Sequence, residues 1–320
     1  MGLRPLIAAA ISLALTTGTS MAENRVDASR PDAPALAASG AYAVGVRTLT
    51  LTDPDRADVL ASTEDLVTGP RSLVAEFWYP AVAGTSPGGT YDTNLRDGVT
   101  PATLHGQAAR EAEASGAGPF PLIIISHGYP GNRFLMSHLA ENLASKGYVV
   151  AALDHTDSTY SDQGSIGSTL MNRPIDQRFV IDQMDAMSGP LGQIVDATQV
   201  GVIGYSMGGY GALIFGGAGL TQAATEVSWG TPNGLLARHL AGSDTHEALV
   251  DARVKAMIVI GPWGKNAGLW DANGLAGLRK PTLFMAGGAD DVSVYGAIRG
   301  IFDEATISVI ASDTVQEIGR

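Results

Sequence analysis

The 320-residue sequence has no cysteine, and that one absence excludes several chemistries. Disulfides, thiolate metal sites, a cysteine nucleophile and a lipid-modified N-terminal cysteine are all ruled out. Stability must then come from a packed core, and 45% hydrophobic residues in a chain of this length can build one. Basic clusters are also missing. A formal charge of −12 opposes nucleic acid or an anionic lipid surface as partner. Past the N-terminus no apolar run is long enough to span a bilayer. The 40 glycines follow no G-x-y period, so they mark tight turns and not a collagen-like or low-complexity chain. There is no internal repeat.

Residues 1–4 give a short basic start, residues 5–17 an apolar run, and Ser20-Met21-Ala22 the small residues that a signal peptidase reads. We expect a signal peptide over 1–22, the alternative being a retained anchor. Its removal would leave a secreted or periplasmic chain with no integral membrane segment. Residues 23–45, rich in Ala, Asp and Pro, read as a flexible leader, and 46–320 as one domain.

"VRTLTL" (46–51) alternates apolar and polar residues as a half-buried strand does, and "SLVAEFWYP" (72–80) is a second strand. A Gly/Thr/Asp-rich loop and a polar connection (109–118) follow. Then the pattern changes. "PLIIIS" (121–126), "YVVAALD" (148–154), "ATQVGVIGYS" (197–206), "VKAMIVIG" (254–261) and "PTLFMAGG" (281–288) are short continuous apolar runs, as in strands covered on both faces. Helical segments at 134–147, 207–217 and 295–305 alternate with them, and "ISVIA" (307–311) is a last β-like run. The fold class is therefore α/β: a mostly parallel central sheet flanked by helices, with an antiparallel edge formed by the first two strands. Such sheets carry their sites at the carboxyl ends of the strands.

"GVIGYSMGGYGAL" (201–213) contains Gly204-Tyr205-Ser206-Met207-Gly208, a G-x-S-x-G placed where a buried strand turns into a helix. Side chains two residues before and after the serine would collide with the neighbouring strand and helix. Glycines there let Oγ project into the cleft, and Ser206 is the candidate nucleophile. "SHGYPGN" (126–132) follows the strand "PLIII". An oxyanion hole needs two backbone N–H groups, and Met207 with Tyr129 can supply them; His127 reads as a brace for this turn. "AGGADD" (286–291) ends the last strong strand, where the acid of a Ser…Asp…His series belongs. Asp290 is the candidate, Asp291 the fallback, and helix capping the alternative for both. "DHTDSTYSD" (154–162) matches no EF-hand or zinc spacing and reads as a solvated loop, so no metal site is expected. Residues 220–250 fall where a lid can be inserted, with Trp229 and Trp263 as candidate walls of an acyl pocket or as ordinary aromatics.

Together "FWYPA", "PLIIISHGYPGNRFLMSHLAENLASKGYVVAALDH", "GVIGYSMGGYGAL" and "PTLFMAGGADD" resemble the α/β-hydrolase superfamily. Within it they are most similar to bacterial relatives of platelet-activating-factor acetylhydrolase and dienelactone hydrolase. The resemblance runs from about residue 45 to about 305. It implies a serine esterase for short acyl esters that needs no metal or organic cofactor. Ser206 would be its nucleophile, Asp290 its acid, and the Met207 and Tyr129 amides its oxyanion hole. Polymeric esters stay open, since secreted polyester hydrolases and cutinase-like lipases share the elbow.

The sequence departs from that pattern in one place. The family's triad histidine follows the acid, whereas His105, His127, His138, His155, His239 and His246 all precede Asp290. Three explanations stand: a truncated or frame-shifted C-terminus that also removes the last helix, a substitute base, or a pseudoenzyme that binds esters without turning them over. His155, at the end of the strand "ALDH", is the best-placed substitute; its alternative is to fix a long polar loop over 156–174.

Overall fold

The computed structural model describes residues 23–305 apart from residues 30 and 165. The expected signal peptide over 1–22, the run at 307–311 and the C-terminal tail lie outside the described residues.

Among the described residues eight strands form the central sheet: β1 Ala43–Ala57, β2 Thr68–Ala81, β3 Ala109–Arg110, β4 Phe120–Ser126, β5 Val149–Asp154, β6 Val195–Tyr205, β7 Val254–Ile260 and β8 Thr282–Met285. Their order across the sheet is β8-β7-β6-β4-β5-β2-β1-β3. Only β2 runs against the rest, antiparallel to both β1 and β5. The alternation of side chains along each strand divides the core in two. Phe77, Ile124 and Ala151 face one cluster, while Trp78, Ile125 and Val150 face another on the opposite side. Helix α1 (Ser137–Ser145) supplies Ala140 and Ala144 to the second cluster. Helices α2 (Ile166–Ala186) and α3 (Met207–Phe215) cover the first, and α3 is apolar all round because every one of its residues is buried. Helix α4 (Tyr295–Glu304) follows the last described strand.

Three stretches differ from the sequence reading. The loop after β2 contains a hairpin, Gly89–Asn94 with Pro101–Gly106, and Asn24–Arg25 adds a third strand to it. Tyr91 in this hairpin is buried, with its hydroxyl between Trp78 Nε1 and Glu141. The leader lies against α1: Asn142 Nδ2 donates to Ala37 O at 2.8 Å, and Gly40 N to Ser145 Oγ at 2.7 Å. Finally, the supposed polar loop 156–174 runs into the first half of α2, which contains Pro174. A proline inside a helix leaves the carbonyl four residues back without its usual donor. Here the Tyr210 hydroxyl takes that donor's place on Leu170 O at 3.0 Å, and His239 Nε2–H donates to the next carbonyl, Met171 O, at 2.8 Å. The helix thus keeps these two carbonyls satisfied around its proline.

Candidate active site

The chain turns from β6 into α3 at Ser206, which has φ 53° and ψ −112°. Non-glycine residues rarely adopt this conformation, and it is held here from both sides. Ser206 N donates to Ile260 O at 2.8 Å, and Trp263 N donates to Ser206 O at 3.2 Å. The side chain is half-buried, at the carboxyl edge of the sheet. The flanking glycines have the steric role expected of them. A Cβ on Gly204 would overlap Gly208 O, one on Gly208 would overlap Ser126 O, and one on Gly209 would sit 3.0 Å from Pro262 Cα.

Met207 opens α3, so its N–H has no carbonyl of its own helix to meet. The turn after β4 lies directly on the serine: a Cβ on Gly128 would be 3.3 Å from Ser206 Cβ and 3.2 Å from the Tyr205 ring. Among the described residues neither Met207 N–H nor Tyr129 N–H donates to a backbone acceptor. His127 braces this turn, as expected. Its Nδ1–H donates to Gly128 O at 2.6 Å, and its Nε2 accepts the His155 amide at 3.3 Å. Burial and the nearby Arg173 cation hold His127 neutral, well below the usual histidine range.

Asp290 lies at the end of β8. Oδ1 accepts the amides of Val292 (2.9 Å) and Ser293 (2.8 Å), while Oδ2 faces Gly261, the residue after β7. Asp290, and not Asp291, is therefore the turn-capping carboxylate, and it reaches the same strand-end row as Ser206 with its other oxygen. Apolar side chains surround this row. Tyr205, Trp229 and Met285 are 42%, 41% and 47% exposed, and the Trp229 and Trp263 rings meet edge to face at 6.4 Å.

His155 does not serve Ser206. Its Nε2 accepts from Ser126 Oγ at 2.9 Å and its Nδ1–H donates to Asp176 Oδ2 at 3.0 Å, so both ring nitrogens are taken. All three residues are fully buried. Asp176 is further held by Arg56 at 2.8 Å and by Arg71 at two points, each 2.9 Å. Burial opposes ionisation of Asp176, but the Arg71 cation and the His155 N–H more than offset it and keep the carboxyl below the usual range. Burial, with the Arg173 cation beside it, lowers His155 to about 3, so the ring is neutral. A base must exchange protons with the reacting hydroxyl, and this one is sealed beneath it.

The other histidines are likewise elsewhere. His239 and His246 donate to Met171 O and Ile214 O, His105 lies in the outer hairpin, and His138 is exposed on α1. No group of His, Cys, Asp and Glu among the described residues could hold a metal ion. No helix there is long and apolar enough to cross a membrane.

Sequence reasoning missed α2 and with it Arg173 and Asp176. Arg173 is completely buried, and its guanidinium donates to Ser126 Oγ, His127 O, Gly128 O and Ser158 Oγ. Burial, only partly offset by Asp176, brings it down to about 9, so it remains a cation at neutral pH. The neighbouring Gln177 donates to Gly208 O at 3.1 Å, tying α2 to the start of α3.

The sequence model of a family described as PETase, PET hydrolase-like, matches residues 89–235. Two cutinases of Thermobifida alba, est1 and est2, are each 37% identical over 91 residues, which is 28% of this chain and 28% of theirs. The match to these curated relatives thus spans little more than a quarter of their length. A ferulic acid esterase structure from Streptomyces cinnamoneus superposes with a TM-score of 0.57 at 24% identity, covering 89% of this chain and 73% of that one. That likeness bears on the fold. The chain has an α/β-hydrolase fold.

Proposed function

We propose that the protein is a serine hydrolase of short-chain carboxylic esters. The carrying observation is Ser206, half exposed at a strained strand–helix turn, with Met207 N–H on one side and the Gly128–Tyr129 turn packed against it on the other. Ser206 Oγ attacks the acyl carbon, its proton passing through solvent water to the departing alcohol oxygen, and the Met207 and Tyr129 amides receive the oxyanion. Collapse then breaks the bond to the alcohol and leaves an acyl-enzyme, which water cleaves. Asp290 takes the part of the triad acid. The apolar strip of Tyr205, Trp229, Trp263 and Met285 receives the acyl or alcohol group. The names of the cutinase and esterase relatives support ester substrates, and the N-terminal sequence supports export to the periplasm or beyond. The local motifs support a place near the platelet-activating-factor acetylhydrolase and dienelactone hydrolase relatives.

A second reading rests on the histidines, none of which meets Ser206. In that reading the fold binds esters but is catalytically impaired, retaining about the 10³–10⁴-fold enhancement over water that binding and an oxyanion hole supply. A fluorophosphonate probe decides between the two. Rapid labelling that disappears in Ser206→Ala supports the hydrolase. Equal labelling of the two proteins removes it and leaves the ester-binding fold.

A further inference from the structure

We infer that Arg173 is a positioning residue that aims and polarises the Tyr129 amide toward the oxyanion. The inference rests on the hydrolase reading above and names a part of that site which no sequence motif marks. Its basis is peptide geometry. Gly128 C=O and Tyr129 N–H belong to one planar unit, and in a trans peptide they point in opposite directions. The Gly128–Tyr129 bond is trans. Whatever grips Gly128 O from below therefore fixes where Tyr129 N–H points above. Arg173 Nη2 grips it at 3.0 Å and His127 Nδ1–H at 2.6 Å. Arg173 Nη1 holds the preceding carbonyl, His127 O, and reaches Ser126 Oγ at 3.2 Å. One guanidinium thus spans three consecutive residues of the turn that lies on Ser206.

The charge acts alongside the geometry. Among the described residues no carboxylate pairs directly with Arg173; its partners are carbonyls and hydroxyls. A buried cation without a counter-ion in contact is costly, and its field is left to act on the peptide it holds. Positive charge at a carbonyl oxygen draws electron density from the amide nitrogen and makes the N–H a stronger donor. The neighbouring residues make this arrangement specific. Ser158 Oγ accepts from Nη2 at 2.6 Å and anchors the guanidinium to the loop after β5. Ser126 Oγ accepts from Arg173 and donates its own O–H to His155 Nε2, whose Nδ1–H donates to Asp176. The buried Ser126–His155–Asp176 series then acts as a strut that keeps Ser126 an acceptor toward Arg173.

The test replaces Arg173 by Met, which is apolar and of comparable length, and by Lys, which keeps the charge but not the two-armed grip. Two quantities are read on the full chain: the Tyr129 backbone amide resonance in the free protein, and Ser206-dependent hydrolysis of 4-nitrophenyl acetate. We expect the Tyr129 amide to move upfield in Arg173→Met, and kcat to fall about 10- to 100-fold, less than the roughly 10²–10³-fold of losing an oxyanion donor outright, with KM nearly unchanged. Arg173→Lys should fall between this and the wild type, and it carries the comparison if the Met protein does not fold. A folded Met protein with the wild-type Tyr129 resonance, or with wild-type kcat, overturns the inference. So does a Lys protein indistinguishable from wild type in both readings. If Ser206→Ala hydrolyses the ester as fast as wild type, the hydrolase reading has failed, and the Tyr129 resonance alone decides whether Arg173 sets that amide.

Discussion

Acidification from pH 8 to pH 5 should strip several kcal/mol of stability from this fold through histidines that are buried neutral. His155 and His239 are each about 1% exposed, and burial is the first cause of their lowered values, about 3 and about 4. Unfolded, the same rings titrate near 6.5. Between those values the unfolded chain takes up protons that the folded chain refuses. Stability is therefore complete above about pH 6.5 and is lost as pH falls toward 4. At pH 5 the unfolded rings lie about 1.5 pH units below their midpoint, which costs about 2 kcal/mol each and about 4 kcal/mol for the pair. His127, also lowered by burial, adds in the same direction. Against a typical total of about 5–15 kcal/mol, this is a large fraction. Urea unfolding at pH 8 and pH 5 measures it directly. His239→Gln, whose amide can still donate to Met171 O, should remove about 2 kcal/mol of the pH-dependent loss. Equal stability at the two pH values, or a Gln protein that keeps the full loss, would refute the reasoning.

Other substitutions test the site and its supports. Gly208→Ala puts a methyl group into Ser126 O, so we expect about 1–3 kcal/mol lost in thermal unfolding together with loss of fluorophosphonate labelling. Arg71→Met removes the bidentate partner of Asp176 and should cost about 3–5 kcal/mol by chemical denaturation. Arg71→Lys should recover only part of that, because a single ammonium cannot make both contacts. Trp263→Ala should raise KM for aromatic or long-chain esters more than it lowers kcat, as steady-state kinetics will show.

The sheet was legible because its strands are short continuous apolar runs that alternate with helical segments. Residues 121–126 and 148–154 match β4 and β5 nearly end to end. The strand–helix turn at Ser206 was equally plain, since its glycines answer a steric demand that sequence can display. Helix α2 was not legible. Its buried residues mix Ser168, Asn172, Arg173, Asp176 and Gln177 with Leu170, Met171, Val180, Ile181 and Met184, so polar groups break up the apolar stripe by which helices announce themselves, and Pro174 interrupts it. Its polar residues are buried because partners far along the chain satisfy them: Arg56, Arg71, His155, Gly128 and Gly208. Such pairings exist only in three dimensions. The role of His155 stayed open for the same reason, because its strand-end position is visible in the sequence and Ser126 and Asp176 are not visible beside it. The hairpin at 89–106 was hidden by turn-forming residues within its own strands.

The Ser126–His155–Asp176 array has a practical consequence. A search for hydrolases that scores only serine–imidazole–carboxylate distances would select Ser126, an atom no reagent can reach, and pass over Ser206. Solvent access has to be weighed along with spacing, and covalent labelling of this protein should therefore yield one modified peptide, the one bearing residues 201–213.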